Sequence, residues 1–346
     1  MKTKKIALAG GGTGGHITPL VSIYNKLKTE KSLEFFWIGE YDSLEEKIAK
    51  ENEIKFYPIK AGKLRRYFSL KTILEPFYIF SGIISSYKIL KKEKPTLIFS
   101  KGGYVSLPVA ISARLLGIKL YLHESDTIPG LVNRLVGKFA NKTFLGFEMA
   151  KKFFKEEKTQ VVGQILNPVL FENIEKIDTK NNNTNLLIIA GSQGSTRIFK
   201  TILDNSKELQ DFNLFVVLGS LNINLKKDFE KIPNCEVFEF INQTQLASIL
   251  SISDIAVTRA GATSLAELEA FNISQIIIPL KESANNHQYY NALEYSEKKG
   301  EVMIEEKDLS SITGEIKKNI KNKKTLGINN KHGALEIITK ELLFGI

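Results

Sequence analysis

The sequence lacks the features of a secreted or membrane-spanning protein. Its 346 residues include one cysteine, Cys235, so no intrachain disulfide bond can form. The longest uncharged apolar segment, Pro76–Tyr87, has 12 residues, whereas a membrane-spanning helix needs about 20. Near the N-terminus only Ile6–Ala9 is apolar, and a secretory signal needs an apolar stretch of about 7–15 residues. We therefore expect a cytoplasmic protein.

Acidic residues are scarce in the first half of the chain. Residues 1–163 contain 28 Lys and Arg but only 15 Asp and Glu, a net charge of +13. The remainder of the chain contains 20 Lys and Arg and 23 Asp and Glu. Such an excess favours attraction to an anionic surface, either a membrane or a nucleic acid. A lysine bias in an AT-rich genome is the alternative explanation. No nucleic-acid-binding module is recognisable, so we do not expect a nucleic-acid partner.

Short apolar runs alternate with longer amphipathic segments, and the alternation restarts after a polar gap at 178–185. This rhythm is typical of parallel sheets covered by helices on both faces, and the length suits two domains of roughly 100–200 residues. Helices are predicted at Pro19–Thr29, Leu44–Asn52 and Gly333–Leu343. Strands are predicted at Lys5–Ala9, Phe35–Ile38, Thr96–Phe99, Leu120–His123 and Thr143–Leu145, and then at Leu186–Ile189, Phe212–Leu218, Glu236–Phe238, Ile255–Val257 and Gln275–Ile278.

Three predicted strands end in glycine-rich turns, at 10–16, 101–104 and 191–195. Glycine lets backbone N–H groups approach a phosphate, and the N-terminus of the following helix carries a partial positive charge. The first turn formally matches G-x-G-x-x-G, and Glu40 follows it at the end of the next strand, so a dinucleotide-dependent oxidoreductase is one interpretation. One dinucleotide, however, does not require the second-half loop at Gly191. Tight turns needed only for packing are the structural alternative.

Six stretches, taken in order, resemble the MurG family of bacterial transferases, which add N-acetylglucosamine to a lipid-linked muramyl-peptide. They span nearly the whole chain, which makes a chance match implausible. The stretches are Gly11–Pro19 (GGTGGHITP), Lys101–Pro108 (KGGYVSLP), His123–Asn133 (HESDTIPGLVN), Ala190–Arg197 (AGSQGSTR), Asp254–Glu267 (DIAVTRAGATSLAE) and Asn286–Ala292 (NHQYYNA).

The resemblance implies two doubly wound Rossmann-like α/β domains facing a cleft, the GT-B type. We expect residues 1–163 to bind the acceptor and membrane, residues 164–329 to bind the UDP-sugar, and a C-terminal helix in 330–346 to return to the first domain. The implied reaction transfers N-acetylglucosamine from UDP-N-acetylglucosamine, with inversion, to the muramyl 4-hydroxyl of undecaprenyl-linked lipid I. The product is lipid II, a peptidoglycan precursor.

The resemblance also implies donor contacts, most of them in the second half. Small residues that open a helix would present N–H groups to the diphosphate, and a glutamate one turn later can accept hydrogen bonds from a ribose diol. Its alternative is an ordinary solvated glutamate. The donor-binding candidates are Thr13, Gly14 and Gly15 in the first loop, then Ser192, Ile241, Ala262, Thr263, Ser264, Leu265, Ala266, Glu267 and Gln288.

Inversion needs a base near the acceptor hydroxyl, and imidazole suits neutral pH. His16 follows the first glycine loop and is the first candidate. An anion-binding role for His16 is equally open, and Glu124 is a competing base. The acceptor-binding candidates are His16, Gly102, Gly103, Tyr104 and Asp126.

The chain contains no Asp-x-Asp, the motif that holds a divalent metal in the other common glycosyltransferase architecture. We therefore expect no metal and no cofactor. Two positions depart from the family. The run Asn167–Leu170 lacks the arginine that usually follows Asn-Pro-Val and meets the donor, for which Arg197 and Arg259 are candidate replacements. Asp126 stands where many relatives have asparagine.

Lipid I lies in the inner leaflet, so such an enzyme must reach the membrane from its cytoplasmic face. Pro76–Tyr87 is rich in aromatic and β-branched residues and has basic flanks, which is typical of an interfacial segment. A buried core helix is the alternative. The flanking residues are Lys63, Arg65, Arg66 and Lys71 on one side and Lys88, Lys91, Lys92 and Lys94 on the other.

Three further functions stay open at this point. A related sugar-nucleotide enzyme, such as a 2-epimerase or a glycolipid glycosyltransferase, could share the fold and the donor loops. A non-catalytic sugar-nucleotide-binding subunit is disfavoured, because acceptor-side and donor-side motifs lie in one chain. The oxidoreductase is the third, and a nicotinamide-binding assay separates it from the others.

Overall fold

The computed structural model describes residues 3–62, 75–172, 174–179, 181–320 and 333–345. The chain divides into two compact units, one formed by 1–167 and 332–346 and the other by 168–331. Each unit contains one parallel sheet covered by helices on both faces. The α/β class and the doubly wound arrangement predicted from the sequence are confirmed.

The first unit has a seven-stranded parallel sheet in the order β3-β2-β1-β4-β5-β6-β7. Its core lies on both faces because successive side chains of a strand point to opposite sides. Ile6 and Leu8 of β1 belong to the apolar cluster on one face, and Ala7 and Ala9 belong to the cluster on the other. The strands are β1 (Lys4–Gly10), β2 (Leu33–Glu40), β3 (Lys55–Ile59), β4 (Leu97–Gly102), β5 (Lys119–Glu124), β6 (Lys142–Leu145) and β7 (Thr159–Val161).

Helices connect these strands. The first helix, α1, begins at Gly14, five residues before its predicted start at Pro19. The helix begins there because the Thr13 carbonyl accepts the N–H groups of His16 and Ile17, and an early proline costs only one helical hydrogen bond. The helices are α1 (Gly14–Leu27), α2 (Leu44–Glu51), α3 (Glu75–Glu93), α4 (Ser106–Leu116) and α5 (Leu131–Phe139).

The second unit repeats the plan with six parallel strands in the order β10-β9-β8-β11-β12-β13. The strands are β8 (Thr184–Ile189), β9 (Phe212–Val217), β10 (Cys235–Phe238), β11 (Ile255–Thr258), β12 (Ser274–Ile277) and β13 (Val302–Met303). The helices are α6 (Thr196–Asp204), α7 (Lys226–Phe229), α8 (Gln243–Ile252), α9 (Ala262–Ala270), α10 (His287–Lys299) and α11 (Ile312–Asn319).

The last helix, α12 (Gly333–Gly345), packs on the first unit. Its apolar side chains, including Leu335, Ile338 and Leu342, join the cluster that contains Ile6 and Leu8. This face of the sheet also carries α1, whereas the opposite face carries α4 and α5. The end of the described chain therefore completes the core of the unit in which the chain began.

All ten predicted strands occur, within three residues at either end, but β3, β7 and β13 were missed. Each of the three lies at the edge of a sheet, where a strand is half-solvated and can be short and polar. The strand β3 also contains Pro58, which an edge strand tolerates because one side of it makes no ladder hydrogen bonds. These strands lacked the apolar run that revealed the central ones.

Candidate active site

The first glycine loop lies at the switch point of the first sheet. The strands β1 and β4 are neighbours, but the chain leaves them towards opposite edges of the sheet, and ligands bind at such points in open α/β sheets. The loops that follow β1 and β4 touch there. A Cβ at Gly103, whose φ is +84°, would lie 2.7 Å from the carbonyl oxygen of Gly11. Only glycine allows this close approach.

His16, the third residue of α1, is half-buried beside this contact. Its Nδ1 lies 3.0 Å from the Gly11 carbonyl oxygen and 3.4 Å from Thr13 Oγ1. A carbonyl oxygen can only accept, so in the neutral ring Nδ1 carries the proton and Nε2 carries the lone pair. Burial, and then the charge of Lys101, lower the pKa of His16 below its usual value of 6.5. Neutral imidazole with a basic Nε2 is therefore the prevailing form at pH 7.

Backbone amides of the same loop divide into free and occupied groups. Thr13 precedes α1 as its N-cap and makes no side-chain capping bond, and Gly14 and Gly15 are exposed in the first turn, where N–H groups have no helical partner. The N–H of Gly12, in contrast, donates to Glu45 Oε2 at 3.2 Å. A carboxylate therefore already occupies the amide that a dinucleotide phosphate would need, which disfavours the oxidoreductase.

Glu45 is a part of this site that was not predicted from the sequence. Its buried side chain also accepts the N–H of Glu40 at 3.2 Å, so it ties the first glycine loop to the end of β2. Sequence gave no signal for this role, because an acidic residue in the first turn of a helix is ordinary.

Glu124 ends β5 and is buried. One carboxylate oxygen accepts the N–H of Asp126 and the other accepts Asn133 Nδ2, both at 2.8 Å. Burial, followed by the charge of Asp126, raises the pKa of Glu124 to about 7. The pKa suits a base, but both oxygens already have partners, whereas His16 keeps a lone pair on Nε2.

Lys101 is the penultimate residue of β4, a strand that is buried throughout, and is itself almost completely buried. Its Nζ lies 2.8 Å from His123 Nδ1 and also donates to Ser125 Oγ. The other ring nitrogen of His123 donates to the Gly163 carbonyl oxygen at 3.0 Å. Burial lowers the pKa of Lys101 to about 8, against the opposing effect of the Glu124 and Asp126 charges. The lysine therefore remains mostly protonated at pH 7.

The remaining acceptor-side candidates lie on the same loops. Tyr104 is 41% exposed, so its ring is accessible, and Asp126 is half-buried one residue past Ser125. Gly102, with φ +97°, packs against Asn133, since a Cβ there would lie 2.3 Å from Asn133 Oδ1. The first unit thus gathers His16, Gly102, Gly103, Tyr104, Glu124 and Asp126 at the carboxyl ends of β1, β4 and β5.

The second unit has its own switch point, between β8 and β11. Ser192 is exposed in the glycine loop after β8. In that loop, a Cβ at Gly194, whose φ is +77°, would lie 1.8 Å from the Leu218 carbonyl oxygen. Arg259 follows β11, and its Nη2 donates to Ser195 Oγ at 2.7 Å. The two loops at this switch point are therefore joined by a buried arginine.

The helix α9 begins directly after β11 with an open N-terminus. Its N-cap is Gly261, its first turn holds no acidic residue, and the first helical hydrogen bond from a backbone N–H is that of Leu265 to the Gly261 carbonyl oxygen, at 3.0 Å. The amides of Ala262, Thr263 and Ser264 are thus available to an anion. The Leu265 side chain is fully buried, so that residue can offer a donor only its backbone.

Glu267 and Ala266 are half-buried one turn later. Burial raises the pKa of Glu267 to about 7. The residue is thus less solvated than an ordinary exposed helix glutamate.

Two other donor-side candidates lie at the carboxyl edge of the same sheet. Ile241 is half-buried between β10 and α8. Gln288 opens α10, and its Oε1 accepts the N–H of Leu280 at 3.0 Å. That bond leaves the NH2 group of Gln288 as its remaining donor.

Position 170, where the family usually has an arginine, holds Leu170, whose side chain is fully buried. Both proposed substitutes have protein partners: Arg259 and Arg197 each bind Glu306, and Arg197 also lies 3.3 Å from Glu282. Arg259 also donates to the carbonyl oxygens of Ile278 and Pro279. Arg197, whose side chain is 58% exposed, is the freer of the two.

Comparison with known proteins identifies the class. The glycosyltransferase family 28 N-terminal domain matches residues 6–145 and the C-terminal domain of that family matches residues 185–340. A curated relative from Clostridium tetani is 38% identical, covering 89% of this chain and 87% of its own. A second relative, from Clostridium botulinum strain Alaska E43, is 35% identical, covering 99% of this chain and 98% of its own. Both are named UDP-N-acetylglucosamine--N-acetylmuramyl-(pentapeptide) pyrophosphoryl-undecaprenol N-acetylglucosamine transferase.

Solved structures agree on the fold. The crystal structure of MurG from Acinetobacter baumannii matches with a TM-score of 0.73 at 21% identity, covering 97% of this chain and 99% of its own. A UDP-GlcNAc 2-epimerase from Neisseria meningitidis, bound to UDP-GlcNAc, matches with a TM-score of 0.67 at 17% identity, over 99% and 100%. At such identities these likenesses concern the fold alone.

Two doubly wound units with open glycine loops at their switch points, together with these matches, define a GT-B-type sugar-nucleotide transferase. The chain belongs to glycosyltransferase family 28. The resemblance to the MurG family drawn from six sequence stretches is confirmed.

Proposed function

We propose that this protein transfers N-acetylglucosamine from UDP-N-acetylglucosamine to the muramyl 4-hydroxyl of undecaprenyl-linked lipid I, forming lipid II for peptidoglycan synthesis. The observation that carries this proposal is the 35–38% identity to curated transferases of that name over about nine-tenths or more of both chains. Fold likeness alone would leave the 2-epimerase equally open.

The first unit supplies the acceptor-side chemistry. Nε2 of neutral His16 takes the proton of the 4-hydroxyl while that oxygen attacks the anomeric carbon of the donor sugar. The bond from the anomeric carbon to the UDP oxygen breaks, UDP departs with the electron pair, and the configuration inverts. The hydrogen bond from Nδ1–H to Gly11 supports this role, because it fixes the tautomer with its lone pair on Nε2.

The second unit binds the donor. The open N-terminus of α9 and the loop that contains Ser192 receive the diphosphate, because unpaired N–H groups and the helix dipole favour negative charge. Glu267 accepts hydrogen bonds from the ribose, Ile241 offers its backbone to the uracil, and Gln288 donates from its NH2 group. The same groups stabilise the leaving UDP as its charge develops.

A transfer assay tests the proposal. Radiolabelled UDP-N-acetylglucosamine with a lipid I analogue should give a labelled, lipid-linked disaccharide with inverted anomeric configuration. An analogue that lacks the 4-hydroxyl is the matched control and should receive no label. Formation of UDP-N-acetylmannosamine without an acceptor would contradict the transferase and favour the epimerase.

Catalysis is proposed to proceed without a metal ion, because the chain contains no Asp-x-Asp and the α9 N-terminus can supply the positive potential. Turnover should therefore persist in excess EDTA. Loss of transfer in EDTA, with recovery on addition of Mg²⁺ or Mn²⁺, would contradict this account.

The protein is further proposed to act at the cytoplasmic face of the inner membrane as a peripheral enzyme that binds an anionic surface. Among the described residues, no helix combines the length and apolar character needed to cross a bilayer. On α3, Phe77 and Phe80 are 69% and 64% exposed and Ile84 is 42% exposed, which supports an interfacial role rather than a core helix. Lys88 and Lys91 continue the exposed stripe, whereas the basic residues at 63–71 lie outside the described residues.

A further inference from the structure

Lys101 places a full positive charge in the interior of the first unit. The residue is 1% exposed, and lysine is among the residues least often fully buried. Taking an ammonium group out of water costs free energy unless partners compensate. An apolar residue at the end of β4 would avoid that cost, so the charge calls for an explanation other than packing.

The hydrogen bonds of Lys101 converge on the end of β5. Its Nζ lies 2.8 Å from His123 Nδ1 and donates to Ser125 Oγ. Ser125 stands between Glu124 and Asp126, and its carbonyl oxygen accepts Gln164 Nε2 at 2.7 Å. The lysine thus fixes the residue that separates two carboxylates, both of them candidates for the active site.

Titratable groups near Lys101 lie on three elements, and two of these groups, Glu124 and Asp126, carry the negative charges that oppose the fall in its pKa. The β5 end carries His123, Glu124 and Asp126, the first glycine loop carries His16, and α2 carries Glu45, whose charge also acts on His16. Asp126 adds a second negative charge two residues past Glu124. A buried cation nearby offsets that additional charge.

The geometry points to Lys101 as a positioning residue for the acceptor-side base: its ammonium group holds Ser125, and with it the flanking carboxylates, and keeps a positive charge beside them and His16. Lys101 does not touch the reacting atoms. The inference rests on the proposed function for its kinetic consequence, but its electrostatic consequence is measurable without substrate. The Lys101 charge favours the unprotonated forms of both candidate bases, since it lowers the pKa of His16 and that of Glu124.

Lys101→Met is the direct test, because methionine fills similar space without the charge. The pKa of His16, followed by NMR titration of its imidazole, should rise by about 0.5 or more. The acid limb of the profile of kcat/KM against pH should move to higher pH together with this pKa, whether His16 or Glu124 is the base. At a pH below the limb, kcat/KM should fall by up to about tenfold when the limb moves by a full pH unit. The activity of Lys101→Met should approach that of the wild type as the pH rises towards about 9.

Two companion variants separate charge from structure. Asp126→Asn should move the acid limb to lower pH, because the Asp126 carboxylate raises the pKa of His16 and that of Glu124. The double variant of Asp126→Asn with Lys101→Met should return towards the wild-type profile. Ser125→Ala removes a hydrogen-bond acceptor without changing the charge, so it should alter KM or kcat but leave the limb in place. Coupling between neighbouring charges should appear as non-additive effects of the two single changes.

The pH dependence of the loss distinguishes positioning from a merely structural role. Lys101→Met leaves His123 Nδ1 and Ser125 Oγ without their donor, so a lower Tm is expected for either role. A fall of several degrees with the same fractional loss of activity at every pH would overturn the inference. An unchanged pKa of His16 in Lys101→Met would also overturn the inference, whether or not transfer to lipid I is observed. A shifted pKa without transfer activity would reject only the proposed function and leave the inference standing.

Discussion

His16 shows how one hydrogen bond assigns a role to a side chain. The motif around it left two functions open, because both a base and an anion-binder follow glycine loops. The Gly11 carbonyl oxygen selects the tautomer with its proton on Nδ1, and burial with the Lys101 charge lowers the pKa. A neutral ring is a base rather than an anion-binder, so the structure favours the first of the two hypotheses, which stays a prediction.

Replacement of His16 tests that role by separating the base from the loop contact. His16→Ala should lower kcat by about 10²–10⁴ with little change in the KM for lipid I. His16→Asn can still donate from its amide to Gly11 but cannot take the proton, so it should be equally impaired in steady-state kinetics. Recovery of kcat in His16→Asn, or a mainly raised acceptor KM, would assign His16 to loop structure or diphosphate binding.

Glu267 carries a prediction on donor affinity. Loss of a charged acceptor for the ribose should cost about 1.5–3 kcal/mol, so Glu267→Ala should weaken UDP-N-acetylglucosamine binding at least about tenfold by calorimetry. Because burial raises the pKa of Glu267 to about 7, wild-type affinity should also fall as the pH drops below about 7 and the carboxylate takes a proton. Glu267→Gln cannot titrate and should lose that pH dependence. Equal affinity of wild type and both variants would remove Glu267 from the site.

The helix α3 shows how one element can serve the core and a surface at once. Gly82, Ser86 and Leu90 are buried, and Ser112 of α4 donates to the Ile83 carbonyl oxygen at 3.0 Å. The exposed stripe runs from Phe77, Phe80 and Ile84 to Lys88 and Lys91. An apolar body followed by basic residues on one face is suited to the surface of an anionic bilayer.

Vesicle binding tests that stripe. The double change Phe77→Ser and Phe80→Ser should release the protein from vesicles that contain phosphatidylglycerol, while the circular dichroism spectrum and Tm stay unchanged, because both rings are exposed. Phe344→Ser is a matched control, since this 76% exposed ring lies on α12, on the opposite face of the sheet. Unfolding of the double variant would instead show that the two phenylalanines belong to the core.

The two lysines of the exposed stripe, Lys88 and Lys91, are tested in the same vesicle-binding assay. Lys88→Gln with Lys91→Gln should reduce binding to anionic vesicles and the sensitivity of binding to salt, while soluble donor affinity stays the same. Equal binding of the wild type to neutral and anionic vesicles would contradict an electrostatic contribution.

The stability of the first unit depends on contacts between distant segments. Glu93, the last residue of α3, binds Lys5 of β1 at 2.8 Å, Lys55 of β3 at 3.0 Å and the hydroxyl of Tyr57. These donors, Lys5 first, lower the pKa of Glu93 from 4.5 to about 2. A single carboxylate thereby connects one helix to two strands that lie on opposite sides of β2.

The stability of Glu93→Gln should depend on pH. A depressed carboxyl pKa stabilises the fold fully above about pH 4.5, and that stabilisation disappears as the pH falls towards 2. The variant should therefore lose up to about 3 kcal/mol in unfolding free energy at pH 7, and its difference from wild type should shrink in acid. Glu156→Gln, at an exposed position, is the control and should change little. A difference that is independent of pH would show that the carboxylate charge does not stabilise the unit.

The sequence alone predicted the doubly wound α/β class, ten of the thirteen described strands and the loops at their carboxyl ends. This was possible because apolar runs and glycine turns are local signals set by the chain's own periodicity. Edge strands such as β3, with its Pro58, carry too weak a signal of that kind. Only the tertiary structure shows that Glu45 occupies the Gly12 amide, that Lys101 is buried beside His123 and Ser125, and that Arg259 joins two loops of the second unit. The partners in these three contacts lie 33, 22 and 64 residues apart in the chain. The packing of the sheet, which no local pattern encodes, brings each pair together.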